Sequence, residues 1–404
     1  MNKKMNILSV VIAIAIAFAL SGKAISAEVG VTDTEVKIGM VGIYTGPFST
    51  DFGDSIRFAH IYVNETNKAG GVHGRKIVIV EEDDASMPDK AVLATKKLIY
   101  SDNVFALLAY GSSTCASACR DMIIRENVPL VVLGAAGDAV TTPVSRQIFN
   151  LNVSNETQGG TAVEFAIKEL KAKRIAVVRQ SDDWGNYALQ GAGKWLKGKY
   201  SGDFVAVESA LRDANDASAQ VIRIKAAKPD TVLTFLYQRI AAIFLRQAYE
   251  MGLKANFVGL AGTAMNLTLL RQEVENPKAI ENFYFANYFK DNVAPYGPKF
   301  DKWTKLYLQY HPDFAKKPGY PLPLGLQGCS AAQVLVEGLK RAGRDLTREK
   351  FMDAVESIRG VPSEAFMGDI EFRPDDHQGI KGCSFQKFSM TESKHYAKFY
   401  RGRD

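Results

Sequence analysis

Short apolar runs alternate with longer segments of helical periodicity through most of this sequence, and this alternation restricts the possible folds more than any other feature. The first example is an apolar run at residues 38–43, a helical pattern at 56–63 and a second apolar run at 76–80. Two strands joined through a helix form a right-handed unit with parallel strands. Ligands of such sheets bind beyond the carboxyl ends of the strands, so the loop at 44–54 is predicted to line a site.

The same alternation occurs twice along the chain. A first series of strands and helices extends to about residue 133, and a second begins near Asn150 and extends to about residue 260. We therefore predict an α/β fold of two Rossmann-like lobes, each with a parallel central sheet. Because no linker rich in Gly, Pro or Ser separates the two series, the sequence favours a tight hinge of ordered backbone.

Residues 1–27 differ from the rest of the chain. They combine a lysine-containing start, an uncharged apolar run at 7–20 and small residues before position 28, which is typical of a secretory signal peptide. The apolar run is shorter than the roughly 20 residues that a membrane-spanning helix needs, and no Cys lies nearby for attachment as a lipoprotein. We therefore expect a periplasmic protein rather than a membrane-anchored one.

The distribution of charge gives no indication of nucleic-acid binding. Removal of the signal peptide would take away Lys3, Lys4 and Lys23, so the formal charge of +6 would fall to +3 (6 − 3). The remaining Lys and Arg residues are spread along the chain without a dense basic block, as on an ordinary solvated surface. No nucleic-acid partner is expected.

Patterns typical of cofactor, metal or catalytic sites are missing from the sequence. It contains no Gly-rich dinucleotide fingerprint and no phosphate-binding loop, and its five His residues are isolated from one another. The acidic run at 81–84 suggests a cation site, but carboxylates at a strand end are more often turn and cap residues. We expect no cofactor, no bound metal and no covalent chemistry.

Export makes disulfides possible among the four cysteines, Cys115, Cys119, Cys329 and Cys383. Three connectivities exist for four cysteines, and the sequence does not choose among them. Cys115 and Cys119 are one helical turn apart, where a bridge would be awkward, so a Cys329–Cys383 pair is favoured. A zinc site is the competing interpretation, but a matching pair of His residues is missing.

Two sets of residues at predicted strand ends could hold a ligand. Residues 111–115 open a helix with small hydroxyl side chains, and such a helix start suits a carboxylate. Alternatively, Ser112 or Ser113 only caps the helix. In the second series Trp184 and Tyr237 follow strands, where an aromatic side chain is also often part of the core. Together these residues favour a pocket for a partly apolar ligand.

Several segments match one known family in order, from Glu35 to about residue 390. The most specific is the run NETNKAGGVHG at 64–74. The others are Thr45-Gly46-Pro47, Gly53, Asp83-Asp84, Val128-Pro129, Asp183-Trp184-Gly185 and Leu245-Arg246-Gln247-Ala248. In these segments the sequence resembles the leucine/isoleucine/valine-binding family of type I periplasmic binding proteins, the extracytoplasmic receptors of ATP-driven importers.

This resemblance implies two lobes that are connected by three crossover segments and close on a ligand like a hinge. The implied division is a signal peptide at 1–27, the first part of lobe 1 at 28–149, the main part of lobe 2 at 150–284, a return segment of lobe 1 at 285–364, and a C-terminal part of lobe 2 and the hinge at 365–404.

The resemblance also implies ligand contacts. The implied set is Phe52, Ser112, Ser113, Thr114, Cys115, Ala135, Ala136, Gly137, Trp184, Tyr237 and Ala261, with Tyr44, Asp138 and Asp183 as further candidates. Relatives that bind amino acids carry an acidic residue, the partner of the ligand ammonium, at the position that here is Ala261. A buried ammonium without an anionic partner costs several kcal/mol. An α-amino acid is therefore disfavoured unless Asp138 or Asp183 substitutes.

We expect the solute-binding component of an ABC importer, which captures a small aromatic or aliphatic carboxylate by hinge closure. Its partners would be this small-molecule ligand and a membrane permease, and the protein itself would be a monomer. Three alternatives stay open. The ligand could be a branched-chain amino acid or a short amide, or the protein could be a ligand-sensing receptor. Ser113 or Cys115 could also serve as the nucleophile of a hydrolase, although no base lies at a recognisable spacing.

Overall fold

The structure is a computed structural model that describes residues 28–46, 49–264, 267–290, 298–316, 323–390 and 394–401. The predicted signal peptide at 1–27 and Pro47 of the matching segments lie outside the described residues. Within the described ranges, no helix combines the length and the apolar character that crossing a membrane requires.

The first sheet contains five parallel strands. They are β1 (Glu35–Gly42), β2 (Lys76–Asp83), β3 (Ala106–Ala109), β4 (Leu130–Val132) and β5 (Ile148–Asn150). The order across the sheet is β2-β1-β3-β4-β5, and every neighbouring pair is parallel. The residues of β3, β4 and β5 are all buried, as expected for a parallel sheet that is covered on both faces by helices.

Four helices connect these strands. They are α1 (Ser49–Lys68), α2 (Pro88–Lys96), α3 (Ser113–Arg125) and the short α4 (Asp138–Thr141). The buried side chains of α1 belong to one core cluster, and those of α2 and α3 belong to another. The helices therefore cover opposite faces of the sheet, which places the loops after β1, β3 and β4 at the same carboxyl edge.

The second sheet contains seven strands. The remaining strands of the chain are β6 (Ile175–Gln180), β7 (Ala206–Ala210), β8 (Thr231–Phe235), β9 (Asn256–Gly259), β10 (Phe283–Asn287), β11 (Val361–Pro362), β12 (Asp369–Ile370), β13 (Gly382–Lys387) and β14 (Lys394–Arg401). The order across the sheet is β14-β13-β10-β9-β8-β6-β7. β6 to β10 pair in parallel, and β13 and β14 add an antiparallel edge. β11 and β12 form a separate antiparallel pair.

Five helices cover the second sheet. They are α5 (Asn155–Lys168), α6 (Asp183–Tyr200), α7 (Ser218–Ala226), α8 (Gln238–Glu250) and α9 (Leu267–Val274). α5 and α6 pack in close backbone contact, since a Cβ on Gly159 would lie 2.0 Å from the Ala188 carbonyl oxygen. A Cβ on Gly191 would lie equally close, at 2.0 Å, to the Glu156 carbonyl oxygen. Glycine at both positions therefore fixes the approach of α6 to α5.

After β10 the chain returns to α1 before it re-enters the second sheet at β13. The last helices are α10 (Pro298–Tyr310), α11 (Leu326–Ala342) and α12 (Arg348–Glu356). The ring of Phe58 in α1 lies 5.0 Å from that of Tyr307, and the ring of Tyr62 lies 5.8 Å from that of Trp303. We call the first sheet with α1–α4 and α10–α12 the first lobe, and the second sheet with α5–α9 the second lobe. The boundaries at 149/150, 284/285 and 364/365 stay predictions.

Three crossover segments connect the lobes. The first, residues 151–154, follows β5, the second begins after β10 at Tyr288, and the third lies between β12 and β13. The end of β5, where the first crossover begins, lies beside the third crossover, because the Asn150 N–H donates to the His377 carbonyl at 3.0 Å. The Gly379 N–H donates in turn to the Asn150 carbonyl at 2.6 Å. The backbone at the hinge is therefore hydrogen-bonded, as the missing linker indicated.

The predicted α/β fold with parallel central sheets is confirmed, but β5, β10 and the two-residue β11 were not predicted. β5 has only three residues, too few to show a period. β10 has the sequence FYFAN, and all five of its residues are buried. A short apolar run of this kind does not distinguish a strand from a buried helix segment.

The predicted Cys329–Cys383 disulfide is not formed, and all four cysteines are free. Cys329 lies on α11 in the first lobe, where its sulfur is 3.6 Å from the Phe58 carbonyl oxygen. Cys383 lies on β13 of the second sheet, where its sulfur is 3.1 Å from Thr161 Oγ1. The two thiols belong to the interiors of different lobes, which the spacing of cysteines in the sequence does not reveal.

Candidate functional site

The start of α3 forms one side of the candidate site. Ser112 precedes the helix in an extended conformation (φ −102°, ψ 132°) and does not cap a backbone N–H. Its hydroxyl instead lies 2.9 Å from Thr114 Oγ1. Ser113 Oγ accepts a hydrogen bond from the Gly137 N–H at 2.9 Å. A helix start with hydroxyl side chains and N–H groups outside the helical ladder is suited to binding a carboxylate.

Gly137 is the point at which the first-lobe loops meet the second lobe. A Cβ at this position would lie 2.8 Å from Ser113 Cβ and 3.1 Å from Ser113 Oγ. It would also lie 3.8 Å from Cε2 of Tyr187, which belongs to α6 of the second lobe. The predicted residues Ser113 and Gly137 are thus brought together, and Tyr187 faces them from the other lobe.

Ala135 and Ala136, in the same loop, are tied to the first crossover. The Ala135 carbonyl accepts a hydrogen bond from Asn150 Nδ2 at 2.8 Å, and the Ala136 carbonyl accepts one from the Asn155 N–H at 3.0 Å. Both partners flank the segment that leads from β5 to α5. The position of this predicted loop therefore depends on the hinge.

Acidic side chains from both lobes lie near the Tyr187 hydroxyl. Asp138 is 4% exposed, and its Oδ2 accepts a hydrogen bond from the Glu156 N–H at 2.9 Å. Asp183 is exposed in the first turn of α6. The pKa of Tyr187 is raised by burial and further by the negative charges of Asp183, Asp138 and Glu156. Both predicted substitutes for the missing acid are therefore near the meeting point of the lobes.

Tyr187 was not among the residues predicted from the sequence. Its only signal is its position on α6, four residues after Asp183 and three after Trp184, on the same helical face. Nothing in the sequence indicates that this face meets Gly137.

An aromatic stack forms the second-lobe side of the site. The rings of Trp184 and Tyr237 are 4.5 Å apart and inclined by 21°. The guanidinium carbon of Arg212 lies 4.7 Å from the centre of the Tyr237 ring, as in a cation–π contact. A Cβ on Gly262 would lie 2.8 Å from Trp184 Cζ2. The two predicted aromatic residues are thus adjacent, and the loop after β9 lies against them.

Ala261 belongs to the 3₁₀ turn Ala261–Ala264, which follows β9. It is 9% exposed, and its N–H donates to Gln158 Oε1 at 3.2 Å. Gln158 Nε2 donates in turn to the Val153 carbonyl in the first crossover at 2.8 Å. The position where an acid was expected is therefore linked to a neutral amide.

Phe52 and Tyr44 occupy different surroundings. Phe52, in the first turn of α1, lies beside the α3 start, since a Cβ on Gly111 would be 3.3 Å from its Cδ1. The Tyr44 hydroxyl instead donates to Glu81 Oε1 at 2.6 Å, and Tyr44 lines a cavity of about 400 Å³ beside α1 and the end of α10. Tyr44 is therefore not brought to the Ser113–Gly137 contact.

Cys115 does not present its thiol to solvent. The side chain is fully buried, and burial together with the charge of Asp84 raises the pKa of the Cys115 thiol to about 12. A thiol is a nucleophile only as the thiolate, so this environment argues against Cys115 as a catalytic group. Within the described part of the chain, no cluster of His, Cys, Asp and Glu side chains could hold a metal ion.

Comparison with known proteins identifies relatives. A family model described as periplasmic binding protein matches residues 35–394. The Leu/Ile/Val-binding protein of Citrobacter freundii is 27% identical over 230 residues, which cover 57% of this chain and 62% of that protein. The chain thus matches less than two thirds of the length of that relative.

Two solved structures illustrate the likeness in fold. The branched-chain amino acid transporter substrate-binding protein of Streptococcus pneumoniae, in complex with isoleucine, has a TM-score of 0.74 and 20% identity, covering 90% of this chain and 99% of that one. An ABC transporter solute-binding protein from R. palustris, in complex with benzoate, also has a TM-score of 0.74 and 20% identity, covering 90% and 96%.

Proposed function

Because this chain belongs to the periplasmic binding protein family, we propose that it is the periplasmic solute-binding component of an ABC importer. It captures a small carboxylate between its two lobes and delivers it to a membrane permease. The relatives of the chain are substrate-binding proteins rather than enzymes, and no reaction is part of the proposal.

The observation that carries the proposal is the contact between the lobes at Gly137. Ser113 Oγ accepts the Gly137 N–H at 2.9 Å, and Tyr187 of the second lobe comes within 3.8 Å of where a Gly137 Cβ would be. The uncapped start of α3 lies beside this contact, which supports a ligand cleft at this position. A carboxylate at this position would accept backbone and hydroxyl hydrogen bonds, which are strong when the acceptor is charged.

An aromatic acid fits the second-lobe side best. The Trp184–Tyr237 stack offers aromatic surface, and Ala261 supplies no charge for a ligand ammonium. One relative in the same fold binds benzoate. The proposed ligand is therefore a small aromatic or aliphatic carboxylate, with Phe52 and the residues from Ser112 to Thr114 on one side and Trp184 and Tyr237 on the other.

A branched-chain amino acid is the second candidate. Relatives are named for leucine, isoleucine and valine, and one was solved with isoleucine. The carboxylates of Asp138 and Asp183 lie near the Tyr187 hydroxyl, where either could pair with an ammonium group in place of the missing acid.

A thermal-shift screen of the mature protein separates these candidates. Benzoate, phenylacetate, short aliphatic acids and the three branched-chain amino acids are compared at equal concentration. A ligand at 100 times its Kd adds about 2.7 kcal/mol to the free energy of unfolding. We expect benzoate, or another acid without an amino group, to raise the unfolding temperature of the mature protein. Stabilisation by leucine, isoleucine or valine alone would support the second candidate, and no shift with any of these compounds would contradict the importer proposal.

Two substitutions then test which residues contact the ligand. Ser113→Ala removes the hydroxyl at the start of α3, so it weakens binding of every carboxylate by about tenfold. Asp183→Asn removes a carboxylate near Tyr187, so it weakens only an amino acid, whose ammonium loses a partner. If D183N weakens benzoate binding as strongly as isoleucine binding, Asp183 acts on the fold of the cleft and not as an ammonium partner.

A further inference from the structure

Gln158 connects three separate segments through one buried amide. Its side chain is in α5 and is 2% exposed. Its Nε2 donates to the Val153 carbonyl in the first crossover at 2.8 Å, and its Oε1 accepts from the Ala261 N–H at 3.2 Å. The Tyr288 hydroxyl, where the second crossover begins, lies beside this amide, which opposes the rise that burial causes in the pKa of Tyr288.

The bonds to Val153 and Ala261 use one donor and one acceptor site of the amide. A glutamine side chain offers two N–H donors and one oxygen with two lone pairs. An unmade hydrogen bond in a buried position is costly, and a network of such bonds resists distortion. Val153 and Ala261 are distant in sequence, so the amide holds them in one arrangement that no local contact would maintain.

The two ends of this connection are themselves firmly held. Tyr288 is stacked on Phe366 with ring centres 5.8 Å apart and an angle of 25°. In the turn after β9, Thr263 Oγ1 accepts the Leu260 N–H at 3.1 Å. Gly262, the residue after Ala261, lies against the indole of Trp184. A displacement of Val153 or Tyr288 is therefore transmitted to the turn that packs on the aromatic stack.

We propose that Gln158 is a positioning residue that makes the Ala261 turn move with the hinge when the lobes close. In this role Gln158 contacts the first and second crossovers and the turn, and not the ligand. The arrangement of the turn against Trp184 then depends on the hinge conformation, and so does the affinity of the cleft. The binding part of this inference rests on the proposed function, but the coupling of the hinge to the turn does not.

The first test is Gln158→Met, which keeps the length of the side chain and removes the amide. The control is Asn67→Leu, because Asn67 also makes two hydrogen bonds of 2.8 Å to backbone atoms of one residue, Ile77, far from the hinge. Hydrogen–deuterium exchange of the mature protein without ligand is the primary measurement. Q158M is expected to raise exchange in the turn at 259–264 and in both crossovers together, whereas N67L raises it only around α1 and β2.

The second test is binding, with benzoate and isoleucine as probes. Q158M is expected to weaken whichever probe binds the unmodified protein by about tenfold, while N67L leaves the Kd within about twofold. Q158E provides a pH readout. A protonated carboxyl can still donate to the Val153 carbonyl and accept from the Ala261 N–H, but a carboxylate cannot donate. Affinity of Q158E is therefore expected to recover as the pH is lowered from 8 to 5, with no such recovery in Q158M.

The outcomes are separable. If exchange in Q158M rises in the turn alone, or if Q158M binds benzoate or isoleucine with unchanged Kd, the positioning role is wrong. If the joint rise in exchange occurs but neither probe nor any other acid binds the unmodified protein, the coupling stands and the proposed function fails. A loss of affinity in Q158E that is the same at pH 5 and pH 8 would also contradict the role of the Val153 hydrogen bond.

Discussion

The two sides of the proposed cleft differ in the kind of groups that they offer. The first-lobe side consists of small side chains and backbone at the start of α3, where Ser112 and Thr114 hydroxyls lie 2.9 Å apart. The second-lobe side consists of the Trp184–Tyr237 stack, with Trp184 only 9% exposed. Backbone N–H groups and hydroxyls recognise a charged group and place few demands on the rest of a ligand. An aromatic stack recognises shape and apolar area instead.

This difference separates the two parts of ligand choice. The first-lobe side would determine the chemical class, a carboxylate, and would be shared by many ligands. The second-lobe side would determine which carboxylate fits. Substitutions on the two sides should therefore have different consequences, and four of them test the distinction, from the largest expected effect to the smallest.

The largest effect is expected from Trp184→Ala. Removing a nearly buried Trp costs about 3–5 kcal/mol of unfolding free energy, because the side chain packs on Tyr237 and against Gly262. Urea unfolding should show this loss, and the thermal shift with benzoate should disappear. Trp184→Phe keeps an aromatic ring and should retain part of both. If W184A still binds benzoate with its original affinity, the aromatic stack is core and not a ligand wall.

A pH-dependent effect is expected from Asp84→Asn, under the first-lobe side. Asp84 is fully buried beside Cys115, and burial raises the pKa of Asp84 to about 6. Because the folded-state pKa exceeds the ordinary value of 3.8, the free energy of unfolding is highest below pH 4, where the buried carboxyl is protonated. It falls as the pH rises through 6 and the carboxyl ionises. The loss is at most about 3 kcal/mol. D84N retains the shape without this loss and should be more stable than the unmodified protein at pH 8, but not at pH 4.

The neighbouring Asp83 provides a control of opposite sign. Burial acts to raise the pKa of Asp83, but hydrogen bonds from Thr45 and from the N–H groups of Ala85 and Tyr44 lower it overall. Asp83→Asn should therefore lose stability near neutral pH, where Asp84→Asn gains it. If D84N and the unmodified protein have equal unfolding free energies across pH 4–8, ionisation of the buried Asp84 does not destabilise the folded state.

Gly137→Ala should damage the first-lobe side specifically. Its backbone (φ −69°, ψ 136°) suits any residue, so the effect is steric, because the new Cβ would lie 2.8 Å from Ser113 Cβ. Such overpacking costs about 1–3 kcal/mol and should weaken all carboxylates alike in calorimetric titrations. Gly193→Ala is the control, since its Cβ would meet nothing nearer than 3.9 Å, and within a helix it should stabilise by about 0.5–1 kcal/mol. If G137A weakens some acids much more than others, the first-lobe side also selects among carboxylates, and the proposed division between the two sides is wrong.

The smallest effect is expected from Arg212→Ala. An exposed cation–π contact is worth about 0.5–1 kcal/mol, so loss of the guanidinium over Tyr237 should weaken aromatic acids a few-fold and leave the unfolding midpoint nearly unchanged. Arg212→Lys should have a smaller effect still. If R212A weakens aliphatic and aromatic acids equally, Arg212 acts through its charge rather than by supporting the stack.

Much of this architecture could be predicted from the sequence because periodicity reports local burial. The helical pattern predicted at residues 56–63 lies within α1 (Ser49–Lys68). Trp184 and Tyr237 were identified because both follow buried strands, and the structure stacks them. The start of α3 was identified because small hydroxyl residues precede a helical pattern.

The features that could not be predicted from the sequence depend on contacts between distant segments. Tyr187 became a candidate only through the approach of α6 to Gly137. The sequence also does not show that the Tyr44 hydroxyl bonds Glu81 in a cavity beside α1. The disulfide was wrong because Cys329 and Cys383 lie in different lobes. No pattern within a single segment contains this information.

The pairing of the first and third crossovers has a mechanical consequence. The Asn150 backbone is bonded to both His377 and Gly379, so two of the three covalent connections form one ribbon, which resists shearing but can still bend. A second line of support runs through the Met367 N–H, which donates to the Tyr288 carbonyl at 2.7 Å. With two such supports, we expect rotation about the line joining them to be the easiest relative motion of the lobes. In the proposed closure on a ligand, this single rotation would return Gly137 to the same neighbour each time.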